Sequence, residues 1–260
     1  MKKILLVEGN LKEANQEFTE NGIKTHTESL QESISYYTNN LEIDSVNPSS
    51  DKDIFDKVKD LNKYEGLIWG GSSLNIYSDT KEIRRQIEFM KECQKRIKNI
   101  LAICWGMQVA VTAAGGVVNR GKNGAHRGIA HEIIINSDGL NHPIYKDKDK
   151  IFNTPAFNYD EVVTLPKNAI LLSSNKVNNV MALNFETEFS KIWGIQYHPE
   201  ITYEKMITLI KFRRERLLEN KSFSDEKDLE SHISMIEKED KITKKESRMR
   251  ELKNWLDLIA

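Results

Sequence analysis

The sequence predicts an α/β fold: an open, mostly parallel sheet with helices on both faces, followed by a helical extension at the C-terminus. Two observations predict it. Short apolar runs alternate with segments of helical spacing in the first part of the chain, which is the rhythm of a doubly wound sheet. Beyond residue 200 nearly half of the residues are charged, and apolar residues recur at helical intervals.

Four apolar runs predict the parallel strands. Residues 4–7 form the first, and Leu41–Val46 forms the second. Gly66–Trp69 is closed by two glycines, and Asn99–Ile103 runs directly into a cysteine. Because such runs are short and bounded by loops, we expect each of them to be a strand of one sheet.

Segments between these strands have the spacing of helices. We predict helices over residues 53–61, 80–98 and 108–114, the last of which stops at two glycines. The predicted buried faces are Ile54, Val58 and Leu61 in the first helix and Ile83, Ile87, Met90 and Ile97 in the second.

The pattern changes after residue 128 to shorter segments separated by turns. We predict antiparallel strands added to one side of the sheet, at residues 133–135, 161–165, 170–173 and 180–184. A further strand over residues 191–197 then leads into a His-Pro-Glu turn.

The last part of the chain, residues 201–260, is predicted to be a charged helical extension of a domain formed by residues 1–200. Each of its helices has one apolar face. One interpretation is a solvated layer packed on the core. The other is a surface for a homo-oligomer or for another partner.

Composition excludes several classes of function. The formal net charge is −1, which gives no electrostatic case for binding nucleic acid or an anionic membrane. No apolar run is long enough to span a bilayer, and the N-terminal apolar run is too short for a signal peptide. Two cysteines, Cys93 and Cys104, make no disulfide framework, so we expect a cytoplasmic protein.

Cys104 is the candidate nucleophile. It follows a predicted buried strand and precedes a helix, with Gly106 two residues later, which is the setting of a nucleophile elbow. A helix N-terminus favours the thiolate. Taken alone, a cysteine at a strand end is more often a small buried hydrophobic residue.

His198 and Glu200 are the candidate base and its orienting carboxylate. His198 ends a second predicted strand, and functional groups gather at the carboxyl ends of strands in open α/β sheets. Glu200 lies two residues on, close enough to return its carboxylate to the imidazole. As a bare tripeptide, His-Pro-Glu is more often a surface turn.

Gly70 and Gly71 follow another predicted strand and complete the set. Glycines let a backbone N–H approach a ligand without a Cβ in the way. The Gly71 and Trp105 amides are therefore candidates for an oxyanion hole. No Gly-Lys-Ser/Thr follows, so the loop does not match a phosphate-binding loop.

The ordered set resembles the class I (triad) glutamine amidotransferase domain, a flavodoxin-like fold, over roughly residues 2–200. The closest similarity is to stand-alone proteins that resemble the glutaminase domain of GMP synthase. The resemblance implies that Cys104, His198 and Glu200 hydrolyse the side-chain amide of glutamine through a thioester, releasing ammonia and glutamate. It also implies that Gly70 and Gln108 lie near the substrate, although Gln108 is equally suited to a helix cap or a core hydrogen bond.

Two segments depart from the family pattern. Relatives often carry an acidic residue in the segment corresponding to residues 121–128, where this chain has Arg127, and commonly have His where it has Asn158. The substrate is therefore either glutamine or another γ-glutamyl amide. No cofactor is expected, and the spacing of the histidines between residues 126 and 142 does not favour a metal site.

The chain also lacks the Ser-Gly-Gly-x-Asp-Ser loop of ATP pyrophosphatases, so it is not expected to be a complete GMP synthase. Three hypotheses follow. The protein hands ammonia to a separate synthetase subunit, or it is a γ-glutamyl hydrolase of a modified glutamine. The third is a catalytically silent binding or regulatory protein that keeps the fold.

Overall fold

The computed structural model describes residues 1–57 and 59–259. The strands are β1 (Lys2–Val7), β2 (Leu41–Val46), β3 (Gly66–Trp69), β4 (Asn99–Ile103), β5 (Val117–Arg120), β6 (His126–Arg127), β7 (Ala130–Ile135), β8 (Ile151–Thr154), β9 (Phe157–Asn158), β10 (Asp160–Thr164), β11 (Ile170–Ser174), β12 (Ala182–Glu186) and β13 (Lys191–Ile195). The helices are α1 (Lys12–Glu20), α2 (His26–Tyr37), α3 (Ile54–Lys57), α4 (Lys81–Gln94), α5 (Trp105–Ala113), α6 (Ser137–Leu140), α7 (Tyr203–Phe212), α8 (Arg214–Glu219), α9 (Glu226–Ile242), α10 (Lys245–Arg248) and α11 (Arg250–Ile259).

A nine-stranded sheet forms the centre, in the order β2-β1-β3-β4-β13-β12-β11-β7-β8. The strands from β2 to β13 are paired in parallel, and β12, β11, β7 and β8 continue the sheet as antiparallel neighbours. This confirms the predicted fold class and the addition of antiparallel strands to one side. The strand predicted at residues 161–165 is displaced, because β10 pairs with β5 in a separate two-stranded ribbon.

Two of the three predicted helices are present with shifted ends, while the one predicted over residues 53–61 is α-helical, among the described residues, only at Ile54–Lys57. The helix predicted over residues 80–98 ends earlier, at Gln94, although Ile97 is still buried. The helix predicted over residues 108–114 begins at Trp105, directly after the cysteine. In the helix predicted over residues 53–61, Val58 lies outside the described residues, while Ile54 and Leu61 are buried.

The core has one apolar layer on each face of the sheet, because successive strand residues point to opposite sides. Leu5 and Leu67 belong to the layer covered by α4 and α5. Ile4 and Ile68 belong to the opposite layer, which is completed by α2 and α11. Helices therefore cover both faces, as predicted.

The helices that follow residue 200 are part of this packing. Trp255 of α11 is fully buried against the sheet, where a Cβ on Gly66 would lie 2.7 Å from its ring. Helices α7 to α9 form a third apolar cluster around Ile210, Leu217 and Ile233. This arrangement agrees with a layer packed on the core, while an oligomer surface and a domain boundary at residue 200 stay predictions.

None of the helices in the described part of the chain is long and apolar enough to cross a bilayer.

A buried ion pair joins α11 to the loop that precedes β8. Lys148 Nζ lies 3.1 Å from Glu251 Oε2, and the two side chains are 1% and 0% exposed. Tyr197 donates its hydroxyl to Glu251 Oε1 at 2.7 Å. Tyr197 also shares a hydrogen bond of 2.9 Å with the hydroxyl of Tyr145. The C-terminal helix is thus connected to the residue that immediately precedes His198.

Candidate active site

Cys104 occupies a sharp turn between β4 and α5. Its backbone has φ 52° and ψ −105°, a combination that costs free energy in a residue with a Cβ. The Cys104 amide donates to the carbonyl of Ile195 at 2.7 Å, which ties the turn to β13. A Cβ at Gly106 would lie 2.4 Å from the carbonyl oxygen of Trp69, so only glycine fits there. The structure has the predicted strand–turn–helix arrangement.

His198 and Glu200 lie beside this cysteine. His198 Nδ1 is 2.7 Å from Glu200 Oε1, and both residues are buried. Burial alone would lower the pKa of His198, but the Glu200 carboxylate and the neighbouring Cys104 sulfur raise it overall. Burial would raise the pKa of Glu200, and the two adjacent histidines, His198 and His26, instead hold it below its usual range. The three predicted residues are therefore brought together.

His26 is a second histidine at this site that sequence reasoning missed. Its ring stacks on that of His198 with centroids 5.4 Å apart, and its Nδ1 is 4.0 Å from Glu200 Oε1. Among the described residues, this buried Nδ1 has no hydrogen-bond partner. His26 is the first residue of α2, far from any motif, so the sequence carried no signal for it.

The Gly70-Gly71 loop passes directly over the histidines. A Cβ on Gly71 would lie 2.5 Å from His26 Cε1 and 2.8 Å from His198 Cε1, so a larger residue has no room. Gly70 accepts the amide of Gly106 at 3.2 Å, which joins the loop to the elbow. Within residues 1–57 and 59–259, neither the Gly71 nor the Trp105 amide donates to a protein acceptor. The Trp105 N–H belongs to the residue after Cys104, and Gly71 lies against the His198 ring.

One glutamine contacts the cysteine, and a second glutamine supports the first. Gln196 donates its amide to Cys104 Sγ at 3.4 Å, and Gln108 donates to Gln196 Oε1 at 3.3 Å. Both glutamines are buried. Gln196 was missed by the sequence analysis, although its place two residues before His198 in a predicted strand could have drawn attention to it.

A polar cavity of about 520 Å³, which we call the nucleophile pocket, opens over Cys104. Its lining includes Trp105 and Gln108, and also both residues that depart from the family pattern, Arg127 and Asn158. Asn158 is held by hydrogen bonds, including one of 2.9 Å to His126 Nδ1. Its amide therefore shapes the pocket wall.

The nucleophile pocket is strongly cationic. Arg120, Arg127, Arg213 and Arg216 line it, and none of them has a carboxylate within 4.0 Å in the part of the chain described. One carboxylate, Asp160, also lines it and accepts the Tyr77 hydroxyl at 3.1 Å. Burial raises the pKa of Asp160. The sequence analysis did not single out Asp160 or the arginines from the C-terminal helices.

One group of side chains has the spacing to ligate a metal. His26, His198 and Glu200 place one ligand atom each within 4.8 Å of one another. In this structure His198 Nδ1 and Glu200 instead form their own hydrogen bond, which a metal ion would have to break. The geometry therefore agrees better with an acid–base pair than with metal ligands.

The comparison with a family model decides the affiliation of the chain. The model of class I glutamine amidotransferases matches residues 22–214. This protein belongs to that family. The match includes all of the residues that were predicted for the site.

The related proteins carry the names of γ-glutamyl hydrolases, γ-glutamyl peptidases or GMP synthase subunits. The chain is 29% identical to a γ-glutamyl-L-1-hydroxyisopropylamide hydrolase of a Pseudomonas species over 77% of this chain and 74% of that one. It is 30% identical to γ-glutamyl peptidase 4 of Arabidopsis thaliana over 60% of this chain and 61% of the peptidase, less than two thirds of its length. One subunit of the glutamine-hydrolysing GMP synthase of Methanosarcina acetivorans is 33% identical over 41% of this chain and 52% of that protein.

Solved structures share the fold. A glutamine amidotransferase from Thermotoga maritima superimposes with a TM-score of 0.68 at 18% identity, covering 99% of this chain and 97% of that one. A GMP synthase subunit from Thermoplasma acidophilum gives a TM-score of 0.57 at 18% identity, covering 83% of this chain and 98% of that one. At such identities the likeness concerns the fold alone.

Proposed function

We propose that this protein hydrolyses γ-glutamyl amides through a thioester on Cys104. The observation that carries the proposal is the meeting of Cys104, His198 and Glu200 at one edge of the sheet. The thiolate attacks the γ-carbonyl carbon, and His198 gives its proton to the amine nitrogen as the C–N bond breaks. Neutral His198 then takes a proton from water, which attacks the thioester, releases glutamate and restores the thiolate–imidazolium pair.

The Gly71 and Trp105 amides are the proposed donors to the oxyanion of each tetrahedral intermediate. Neither has another acceptor among the residues that the structure describes. Trp105 directly follows the cysteine, and Gly71 lies against the His198 ring. Donors fixed in a site that excludes water stabilise developing charge without reorganising. Gly70 supports this loop through its bond to the amide of Gly106.

The glutamyl part of the substrate is proposed to occupy the nucleophile pocket. The buried carboxylate of Asp160 suits the substrate ammonium group, and the guanidinium groups of Arg120 and Arg127 suit its carboxylate. Arg127 Nε is buried without a partner in the described residues, which supports its use by a ligand. Gln108 lines the same pocket but is engaged with Gln196, so we propose that it positions the cysteine.

A glutaminase that gives ammonia to a separate synthetase is the second candidate function. The similarity to the GMP synthase subunit of Methanosarcina acetivorans favours it. The relatives named as γ-glutamyl hydrolase and peptidases, which align over more of this chain, favour hydrolysis of substituted amides. We also propose a cytoplasmic location, since the structure has both cysteines free.

Glutamate release from glutamine and from a series of γ-glutamyl amides tests the proposal. We expect turnover of substituted amides, and covalent labelling of Cys104 by a diazo-ketone analogue of glutamine. The second candidate would be favoured if Cys104 is labelled, if glutamine is the only amide hydrolysed, and if an added synthetase raises the rate of glutamate release. No glutamate release and no labelling would refute both and leave a binding protein that keeps the fold.

Replacing Glu200 with glutamine is expected to move the alkaline limb of the kcat/KM profile to lower pH by about one unit or more. The Glu200 carboxylate raises the pKa of His198 against the effect of burial, so its loss lets that pKa fall. The imidazolium that protonates the leaving amine is then lost at lower pH. The measurement is kcat/KM against pH for Glu200→Gln, with the exposed Glu246→Gln as control. A lower rate with an unmoved limb would contradict this role.

A further inference from the structure

A second, smaller cavity of about 130 Å³ adjoins the nucleophile pocket, and we call it the amine pocket. His198 lines the amine pocket, whereas Cys104 lines the nucleophile pocket. Ser72, Phe157 and Arg213 line both, so the two cavities meet there.

Because Cys104 and His198 line different pockets, a substrate can bind productively in one orientation only. The acyl carbon must reach Cys104 Sγ, and the departing nitrogen must reach His198, which supplies its proton. The cleaved amide therefore spans the junction, with the glutamyl group in the nucleophile pocket and the amine substituent in the amine pocket. Ammonia has no substituent to fill the second cavity.

The walls of the amine pocket are largely apolar. Met206 and Phe18 are almost fully buried, and the half-buried Ile23 and Leu209 complete the surface. Two lysines, Lys24 and Lys205, also line it, but both are paired with Glu32. These walls favour an apolar substituent, for which each added methylene is worth roughly tenfold or more in kcat/KM.

Arg213 provides a cation at the junction. Its guanidinium stacks 4.9 Å from the centre of the Phe157 ring and donates to Ser73 Oγ at 2.8 Å. No carboxylate lies within 4.0 Å of it in the described residues. Arg213 is half-buried, and a cation without a carboxylate partner among the described residues is suited to an anionic group of the ligand. At the junction, that group would be attached to the carbon next to the departing nitrogen.

We propose that the preferred substrates are γ-glutamyl amides of apolar amino acids, with the apolar side chain in the amine pocket and its carboxylate on Arg213. This rests on the proposed hydrolysis at Cys104 and adds the identity of the amine. Cleavage forms the Sγ–C bond, breaks the C–N bond and releases the free amino acid with the proton from His198. The C-terminal helices, which provide Arg213, thereby take part in specificity.

Four amides test the proposal with the unmodified protein: γ-glutamyl-leucine, γ-glutamyl-glycine, γ-glutamyl-3-methylbutylamide and glutamine. We expect kcat/KM for the leucine compound to exceed that of each of the others by roughly tenfold or more. The glycine compound lacks the apolar side chain, and the 3-methylbutylamide lacks the carboxylate. Equal turnover of all four amides would overturn the proposed substrate class but not the proposed hydrolysis at Cys104. The absence of both turnover and labelling of Cys104 would refute the proposed function itself.

Two variants test the residues. Arg213→Gln is expected to lower kcat/KM for γ-glutamyl-leucine to the level of the 3-methylbutylamide, whose own value stays nearly unchanged. Arg214→Gln is the matched control, because Arg214 pairs with Glu226 and lines neither pocket. An equal loss on all four substrates would contradict the assignment of Arg213.

Leu209→Asn removes apolar wall without touching the junction. It is expected to lower turnover of γ-glutamyl-leucine about tenfold and to spare γ-glutamyl-glycine. Leu218→Asn, a half-buried leucine in α8 outside both pockets, is its control. An unchanged preference for the leucine compound in Leu209→Asn would contradict the placement of the side chain.

Discussion

Replacing Cys104 with alanine is expected to abolish hydrolysis of every γ-glutamyl amide, lowering kcat by about 10⁴-fold or more. Without Sγ no thioester forms, and water has to attack an amide that is held but not activated. The measurement is glutamate release together with trapping of the acyl-enzyme, which should vanish in the variant. Retention of more than a small fraction of the activity would show that another group is the nucleophile.

Cys93 provides the control for this change. It belongs to α4 and is fully buried in the apolar layer between that helix and the sheet, and burial raises the pKa of its thiol well above the usual range. Such a thiol is inert as a nucleophile. Cys93→Ala is therefore expected to keep full activity and to leave labelling by the electrophile unchanged, so that the two cysteines are distinguished in one experiment.

The strained backbone at Cys104 leads to a separate prediction about stability. A φ of 52° with a ψ of −105° costs roughly 1–3 kcal/mol in a residue with a side chain. Glycine relieves this strain but costs about 0.5–1 kcal/mol of chain entropy. Cys104→Gly should therefore be inactive and yet more stable than Cys104→Ala, by about 1 kcal/mol in urea unfolding. Lower stability than Cys104→Ala would argue that the turn is unstrained.

The strands and the meeting of Cys104, His198 and Glu200 were predictable because their signals are local. An apolar run such as Asn99–Ile103 predicts a strand without any information from distant residues. Parallel strands in turn place their carboxyl ends at one edge of the sheet, however the helices pack. That is sufficient to bring Cys104 and His198 together. The displacement of β10 into a ribbon with β5 was not predictable, because strand pairing depends on distant partners that an alternating pattern does not specify.

The rest of the site escaped prediction for the same physical reason. His26 and Asp160 reach the site through tertiary packing, and neither stands in a motif. The tail was expected to be a solvated layer or a partner surface, since its charge pattern is typical of both. Its role in lining the pockets through Arg213 depends on how α7 packs beside the site, which no local pattern specifies.

The C-terminal helices are also expected to hold the turn at residues 198–200 in place. Arg248, which ends α10, donates to the carbonyl oxygens of Pro199 and Ile201, the latter at 2.9 Å. Glu251 in α11 accepts the hydroxyl of Tyr197 at 2.7 Å. Residues on both sides of His198 are thus tied to α10 and α11, so a change in Glu251 is expected to affect both stability and activity.

Glu251→Gln is expected to lower the free energy of unfolding by about 3–5 kcal/mol, because it leaves the Lys148 ammonium buried without its counter-charge. Urea unfolding measures the loss. Glu88→Gln, which breaks an exposed pair with Lys91, is the matched control and should cost less than about 1 kcal/mol. The double variant Lys148→Met with Glu251→Gln should regain most of the stability, since it removes the uncompensated charge.

The dependence on pH separates this electrostatic cause from a simple loss of packing. Burial already lowers the pKa of Lys148 below 10.5, and Glu251 opposes that shift. In Glu251→Gln the folded-state pKa falls further, so the unfolded chain binds more protons and stability rises with pH. The deficit should be complete below the folded-state pKa of Lys148 and should shrink as the pH rises toward 10.5. A deficit that is constant over this range would mean that the lost Tyr197 hydrogen bond, and not the charge on Lys148, is its source.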